Sequence, residues 1–131
     1  MKIDLVVRGI CCLRPGVEGV SDNIRVRSVL GRFLEHSRLF YFHHEGEPEV
    51  FCASADWMGR NLLRRVETCF PIRDDALRRE VVAQGLSPYL SDNAGTWLLQ
   101  SDGSYRRLKA RGPEKSAQIT LMQKLGILLA D

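Results

Sequence analysis

An α/β fold, with a mixed central sheet flanked by helices and an added hairpin and helix toward the C-terminal end, is predicted by three features of the chain. Short apolar runs at Ile3–Val7, Leu39–Phe42 and Glu49–Ala53 have strand length rather than helix length. Ile24–Val29 alternates strictly between apolar and polar residues, the pattern of a strand with one buried face. Two later stretches, Ala76 to about Gly85 and Ser116 to about Ala130, carry apolar residues at helical spacing. At 131 residues the chain is expected to form a single domain, 1–131, large enough to bury a core without disulfides or metal.

Each element has its own local reason. Ile3–Val7 stops at Arg8-Gly9 and reads as a central strand; because it begins almost at the first residue, the domain is expected to be excised from a longer protein. Ile10-Cys11-Cys12-Leu13 continues apolar, and Arg14-Pro15-Gly16 through Gly19 is a loop. In Ile24–Val29, Arg25 and Arg27 share the polar face, where they either line a groove for a polyanion or sit in solvent. Gly31–Glu35 reads as a turn or short helical piece leading into His36-Ser37-Arg38 and the strand Leu39–Phe42. His43 to Pro48 is a polar loop, since adjacent histidines rarely converge on one ion.

Met58–Arg65 reads as a helix that places Asn61 and Arg65 one turn apart with Arg64 beside them. Val66–Pro71 alternates and stops at proline. Asp74-Asp75 caps the helix that follows, with Leu77 and Val81 inward, and Leu86–Gly95 is a loop. Thr96–Leu108 is a hairpin with Asp102-Gly103 in its turn, Trp97 and Tyr105 packing. In the last helix Leu121, Met122, Leu125, Leu128 and Leu129 form an apolar stripe.

Composition excludes several classes. The four cysteines, Cys11, Cys12, Cys52 and Cys69, match neither a zinc spacing nor a C-x-x-C motif, and they are expected to be free, mostly buried thiols of a reducing cytoplasm. There is no signal-peptide pattern and no apolar run of membrane-spanning length. No Walker-type or dinucleotide-type glycine loop is present. A net charge of +3 is mild, yet nine arginines fall between Arg8 and Arg65, and guanidinium forks match phosphate oxygens.

The chemistry concentrates at the ends of the apolar runs, where α/β proteins bind ligands. His36 can protonate a leaving oxygen or bind phosphate as imidazolium. Arg38 supplies fixed positive charge beside it, Ser54 and Asn61 offer hydrogen-bond donors, and Asp56 and Glu67 can orient the histidine or the arginines. Arg64 belongs to the same neighbourhood. No nucleophile accompanies them, and no metal-ligating set is assigned.

Several motifs, in order, carry a resemblance. Arg-Gly-Ile-Cys-Cys-Leu-Arg-Pro-Gly at 8–16, Asn-Ile-Arg-Val-Arg-Ser at 23–28, Gly-Arg-Phe-Leu-Glu-His-Ser-Arg at 31–38, Ser-Ala-Asp-Trp-Met at 54–58, Arg-Asn-Leu-Leu-Arg-Arg-Val-Glu at 60–67 and Gly-Ser-Tyr-Arg-Arg at 103–107 resemble the C-terminal domain of bacterial polyphosphate kinases. That family reversibly transfers the terminal phosphate of ATP to inorganic polyphosphate, with magnesium, through a phosphohistidine. The resemblance implies that the phosphohistidine and the magnesium ligands lie in a preceding domain absent from this chain, so that the isolated fragment is inactive. It implies that Arg8 contacts phosphate and that His36 is the second essential histidine, touching nucleotide phosphates and serving as general acid.

The resemblance also implies a phospholipase D-like fold. His36, Arg38, His43 and Ala53-Ser54 stand where that superfamily has His-x-Lys, Asp and Gly-Ser, so lysine, aspartate and glycine are all replaced. Expected partners are ATP or ADP, inorganic polyphosphate and the preceding domain. The full enzyme is expected to be a homo-oligomer in the cytoplasm or peripheral to the membrane, with no nucleic-acid partner and no transmembrane segment. A phospholipase D-type phosphodiesterase and a noncatalytic polyanion-binding module are the alternatives.

Overall fold

The structure is a computed structural model describing residues 1–9 and 11–126. Its seven strands divide between two sheets rather than forming one central sheet. The chain falls into two compact units, one made of Met1–Phe33 with Pro88–Asp131 and the other of Leu34–Ser87.

The first unit is built on a four-stranded mixed sheet of order β1-β2-β6-β7, from β1 (Ile3–Val6), β2 (Ile24–Val29), β6 (Thr96–Leu99) and β7 (Tyr105–Arg107). β1 runs parallel to β2, and the remaining pairs are antiparallel. The expectation of a central first strand is corrected: β1 is an edge strand, with Ile3 and Leu5 half-buried and Asp4 and Val6 exposed. A short apolar run looks the same whether one face or two are covered, and here only one is. β2 is the central strand, contributing Val26 and Val29 to a core shared with Leu99 and Ala117. The C-terminal hairpin is not an addition to this sheet but supplies two of its four strands, with Val29 opposite Thr96 and Arg27 opposite Leu98. Its turn needs glycine at Gly103, where φ is 88°.

A buried carboxylate joins three parts of this unit. Asp92, 3% exposed, follows a short helix, α3 (Ser87–Ser91), inside the stretch expected to be loop; Pro88 suits the first turn of a helix, which is how the helix escaped the loop reading. Asp92 Oδ1 accepts from the amide of Gly95 at 2.8 Å and from the Thr96 hydroxyl at 3.0 Å. Its Oδ2 accepts from the amide of Ala117 at 2.8 Å, the first residue of α4 (Ala117–Lys124), whose N-cap is Ser116. Asn93 adds a clasp, accepting from the Lys115 amide at 2.7 Å and donating to the Pro113 carbonyl at 3.2 Å. Along α4, Leu121 and Met122 are half-buried and Leu125 is exposed, while Leu128 and Leu129 lie outside the described residues, as does Ile10.

The second unit holds a three-stranded antiparallel sheet of order β3-β4-β5, from β3 (Leu39–Phe42), β4 (Glu49–Ala53) and β5 (Cys69–Pro71). β4 is the middle strand and its Val50 is fully buried. The polar loop before it holds a single 3-10 turn at His44–Gly46, exposed throughout. Two helices complete the unit, α1 (Gly59–Arg64) and α2 (Asp75–Gly85). Asp74 caps α2 as expected, its carboxylate accepting from the Leu77 amide at 2.8 Å. Val81 is half-buried, but Leu77 is 49% exposed rather than inward. The predicted strand Val66–Pro71 shortens to its last three residues, and Val66 stands fully in solvent.

The four cysteines are free, but not mostly buried: Cys12 and Cys69 are exposed and Cys11 and Cys52 half-buried.

Asp92→Ala, which strands the Gly95 and Ala117 amides, is expected to lower unfolding free energy by about 3 kcal/mol in urea titrations. A loss under about 0.5 kcal/mol, the range of ordinary surface changes, would show that the joint is not structural.

Candidate functional site

Of the polar residues singled out in the second unit, Arg38, Asp56 and Asn61 are linked by hydrogen bonds, as are Ser54 and Glu67. Arg38 stands immediately before β3, and its carbonyl accepts from the Ala53 amide at 3.0 Å, extending the β3–β4 ladder by one rung. From there its Nε donates to Asp56 Oδ1 at 2.8 Å and its Nη1 to the His36 carbonyl at 2.9 Å. The guanidinium therefore fixes the main chain that presents His36, whose own side chain is exposed. The Arg38 hydrogen bond, aided by the positive charges of Arg38, Arg60 and His36, holds the Asp56 carboxyl below its ordinary range. The same bond raises Arg38. Both side chains face solvent enough for water and salt to screen the pair, so its value is geometric.

Ser54 and Asn61 offer their donors inward. The Ser54 hydroxyl donates to Glu67 Oε2 at 2.5 Å and accepts from the Thr68 amide at 3.0 Å, while the Ser54 amide donates to the Thr68 carbonyl. Asn61, 5% exposed, donates through Nδ2 to the Asp56 carbonyl at 3.2 Å. These residues brace the loop that carries Asp56. The Asn61 Oδ1 is buried with no partner among the described residues, beside a groove of about 490 Å³ walled by Phe40, Phe51, Trp57, Arg65 and Glu67. Phe40 and Trp57 stack there with ring centroids 5.5 Å apart. Arg64 lies exposed in the last turn of α1 and joins none of these hydrogen bonds.

Arg8 belongs to the first unit, just after β1. It is exposed, and its Nη1 donates to the Phe33 carbonyl at 2.8 Å. Arg25 is exposed, but Arg27 is not part of an open basic face: its Nη1 donates to the Leu90 carbonyl at 2.6 Å and its Nη2 lies 3.6 Å from Asp4. Arg14 Nε is likewise held by the Ser101 carbonyl at 3.0 Å, and Arg32 sits over the Phe33 ring. Much of the arginine excess is thus structural.

Sequence reading missed Gln118, whose amide bonds both backbone atoms of Phe33, accepting from its N–H at 2.9 Å and donating to its carbonyl at 2.8 Å. A polar residue two positions past the N-cap Ser116 carries no motif signal; its 9% exposure is what marks it.

The chain is thus mixed α/β, with His36 beside a braced Arg38 in the second unit and Arg8 anchored by one arm of its fork in the first. Residues 1–118 match the family model described as polyphosphate kinase C-terminal domain 2, and the chain belongs to that family. It is 57% identical over 124 residues to a polyphosphate kinase of Burkholderia ambifaria, covering 95% of this chain and 18% of that protein. A polyphosphate kinase of Paraburkholderia phytofirmans is 55% identical over the same share of each. Among solved structures, the crystal structure of polyphosphate kinase from Porphyromonas gingivalis superposes with a TM-score of 0.88 at 41% identity, covering 95% of this chain and 19% of that one. The chain spans about a fifth of the length of the relatives it matches.

Because its folded value is lowered, Asp56 adds to stability above the ordinary carboxylate range and ceases to do so as pH falls through that lowered value. Carboxyl NMR titration should find Asp56 protonating below an ordinary aspartate, and Arg38→Met should return it toward the ordinary aspartate range. An Asp56 already ordinary in the wild type would mean that the Arg38 contact does not persist in solution.

Proposed function

We propose that this chain is the phosphate-gripping C-terminal part of a polyphosphate kinase, which reversibly transfers the terminal phosphate of ATP to inorganic polyphosphate through a phosphohistidine held elsewhere in a longer protein. The observation that carries this reading is the family match over residues 1–118. We also read the architecture as phospholipase D-like. The replaced lysine, aspartate and glycine positions favour phosphoryl transfer within the larger enzyme over an independent phosphodiesterase.

Phosphoryl transfer depends chiefly on positioning and on stabilising charge at the equatorial oxygens. Arg8 suits that task because a guanidinium has five N–H donors and the Phe33 carbonyl takes one, leaving a pre-aimed fork for phosphate. Arg38 has two donors engaged, on Asp56 and the His36 carbonyl, so it acts mainly by holding the backbone of His36, with Nη2 left to add charge. His36 then donates a ring N–H to a phosphate oxygen and, in the direction that consumes ATP, gives its proton to the oxygen released as the terminal P–O bond breaks. In the reverse direction it takes that proton back.

Among the described residues no three His, Cys, Asp or Glu side chains are grouped to hold a metal ion. This reading leaves the magnesium ligands to the rest of the enzyme. It also takes the working form to be a homo-oligomer of the full-length chain in the cytoplasm or at the membrane surface; no helix among the described residues is long and apolar enough to cross a membrane.

In the full-length enzyme, His36→Ala should reduce transfer between ATP and polyphosphate by roughly a hundredfold to ten-thousandfold in both directions. Arg8→Lys should recover only part of the loss caused by Arg8→Ala, because an ammonium cannot make the two-pronged contact. Full activity in both alanine variants would refute the assignment. Retained polyanion binding of steep salt dependence, with no transfer activity in the wild type, would point to a binding module instead.

A further inference from the structure

We infer that Gln118 is a positioning residue for Arg8, acting through the Phe33 carbonyl; the inference rests on the reading above that Arg8 contacts phosphate. The Phe33 oxygen accepts two hydrogen bonds of 2.8 Å, one from Arg8 Nη1 and one from Gln118 Nε2. Gln118 also accepts from the Phe33 amide at 2.9 Å, so one buried primary amide holds both backbone polar groups of Phe33. Arg8 is exposed and the Phe33 carbonyl is its hydrogen-bond anchor, so the direction of its fork follows the direction of that carbonyl.

Two glycines let the clasp close. A side chain at Gly31 would overlap the Gln118 amide. A side chain at Gly95 would overlap the Leu30 carbonyl, and Leu30 and Gly95 are joined by an amide-to-carbonyl bond of 2.9 Å. Residues 30–33 have neither helix nor strand of their own. Their geometry is therefore set from outside, by Gly95 at the entry to β6 on one side and by α4 on the other. Gln118 is the side chain through which α4 does this, and its own place is set by the Asp92 contact to the Ala117 amide one residue earlier.

The test is a double-mutant cycle in the full-length enzyme, read as kcat/KM for transfer from ATP to polyphosphate, with thermal stability measured alongside. Gln118→Met keeps the length and apolar stem of the side chain while removing both amide bonds. It is expected to lower kcat/KM about tenfold, the scale of one hydrogen bond to a charged group. In an Arg8→Ala background the same change should cost less than about twofold, because the group it positions is gone. Gly31→Ala, which displaces the Gln118 amide without altering it, should behave alike, and it carries the test if Gln118→Met fails to fold.

Additive losses in both backgrounds, or full activity of Gln118→Met and Gly31→Ala beside a defective Arg8→Ala, would overturn the inference while leaving the role of Arg8 intact. An Arg8→Ala enzyme of wild-type activity would instead remove the reading on which it rests.

Discussion

The first unit depends on one buried charge. Asp92 places a carboxylate where the end of α3, the entry to β6 and the start of α4 meet, and its oxygens satisfy the Gly95 and Ala117 amides and the Thr96 hydroxyl. A buried carboxylate is costly unless its lone pairs are filled, and these are filled by groups from separate elements. Satisfying that charge therefore fixes where α4 begins. A helix start fixed at Ala117 puts Gln118 on the Phe33 peptide, and the Phe33 carbonyl in turn meets Arg8. The route from Asp92 to Arg8 is five residues long and runs through hydrogen bonds of ordinary length and one step along the chain, from Ala117 to Gln118.

The second unit reaches a comparable end by a shorter route. β4 stands between two antiparallel neighbours, and the rung after β3 brings Arg38 opposite Ala53. Arg38 then spans from Asp56 to the His36 carbonyl, so the histidine is presented by a backbone that an arginine ties down rather than by a helix or strand. Arg8 in the first unit and Arg38 in the second each have at least one guanidinium bond to the main chain. Such bonds restrict a flexible side chain, which lessens the entropy it would lose on binding a ligand.

The sequence made the alternating strand Ile24–Val29, the Asp74 cap and the Asp102-Gly103 hairpin legible because each has a local cause: period-two patterning, a side-chain acceptor for a free amide, and a glycine with positive φ. His36, Arg38, Ser54, Asp56 and Glu67 were legible as a group because they sit at the ends of readable strands. What was not legible depends on pairing between distant segments. Whether Ile3–Val6 is an edge or a centre is decided by which strands flank it, and the division into two sheets is decided the same way. Arg25 and Arg27 look alike in the chain, yet a carbonyl at Leu90 claims one of them. Gln118 is invisible for the same reason, since its partner lies 85 residues earlier.

The chain belongs to the polyphosphate kinase C-terminal family, and under the proposed function these arrangements present cations in fixed directions. The most direct test of that account is a structure of the full-length enzyme with a non-hydrolysable ATP analogue, examined at Arg8. The account requires a guanidinium nitrogen of Arg8 about 2.7–2.9 Å from a phosphate oxygen while Nη1 remains on the Phe33 carbonyl. A bound triphosphate that leaves Arg8 in solvent would contradict it.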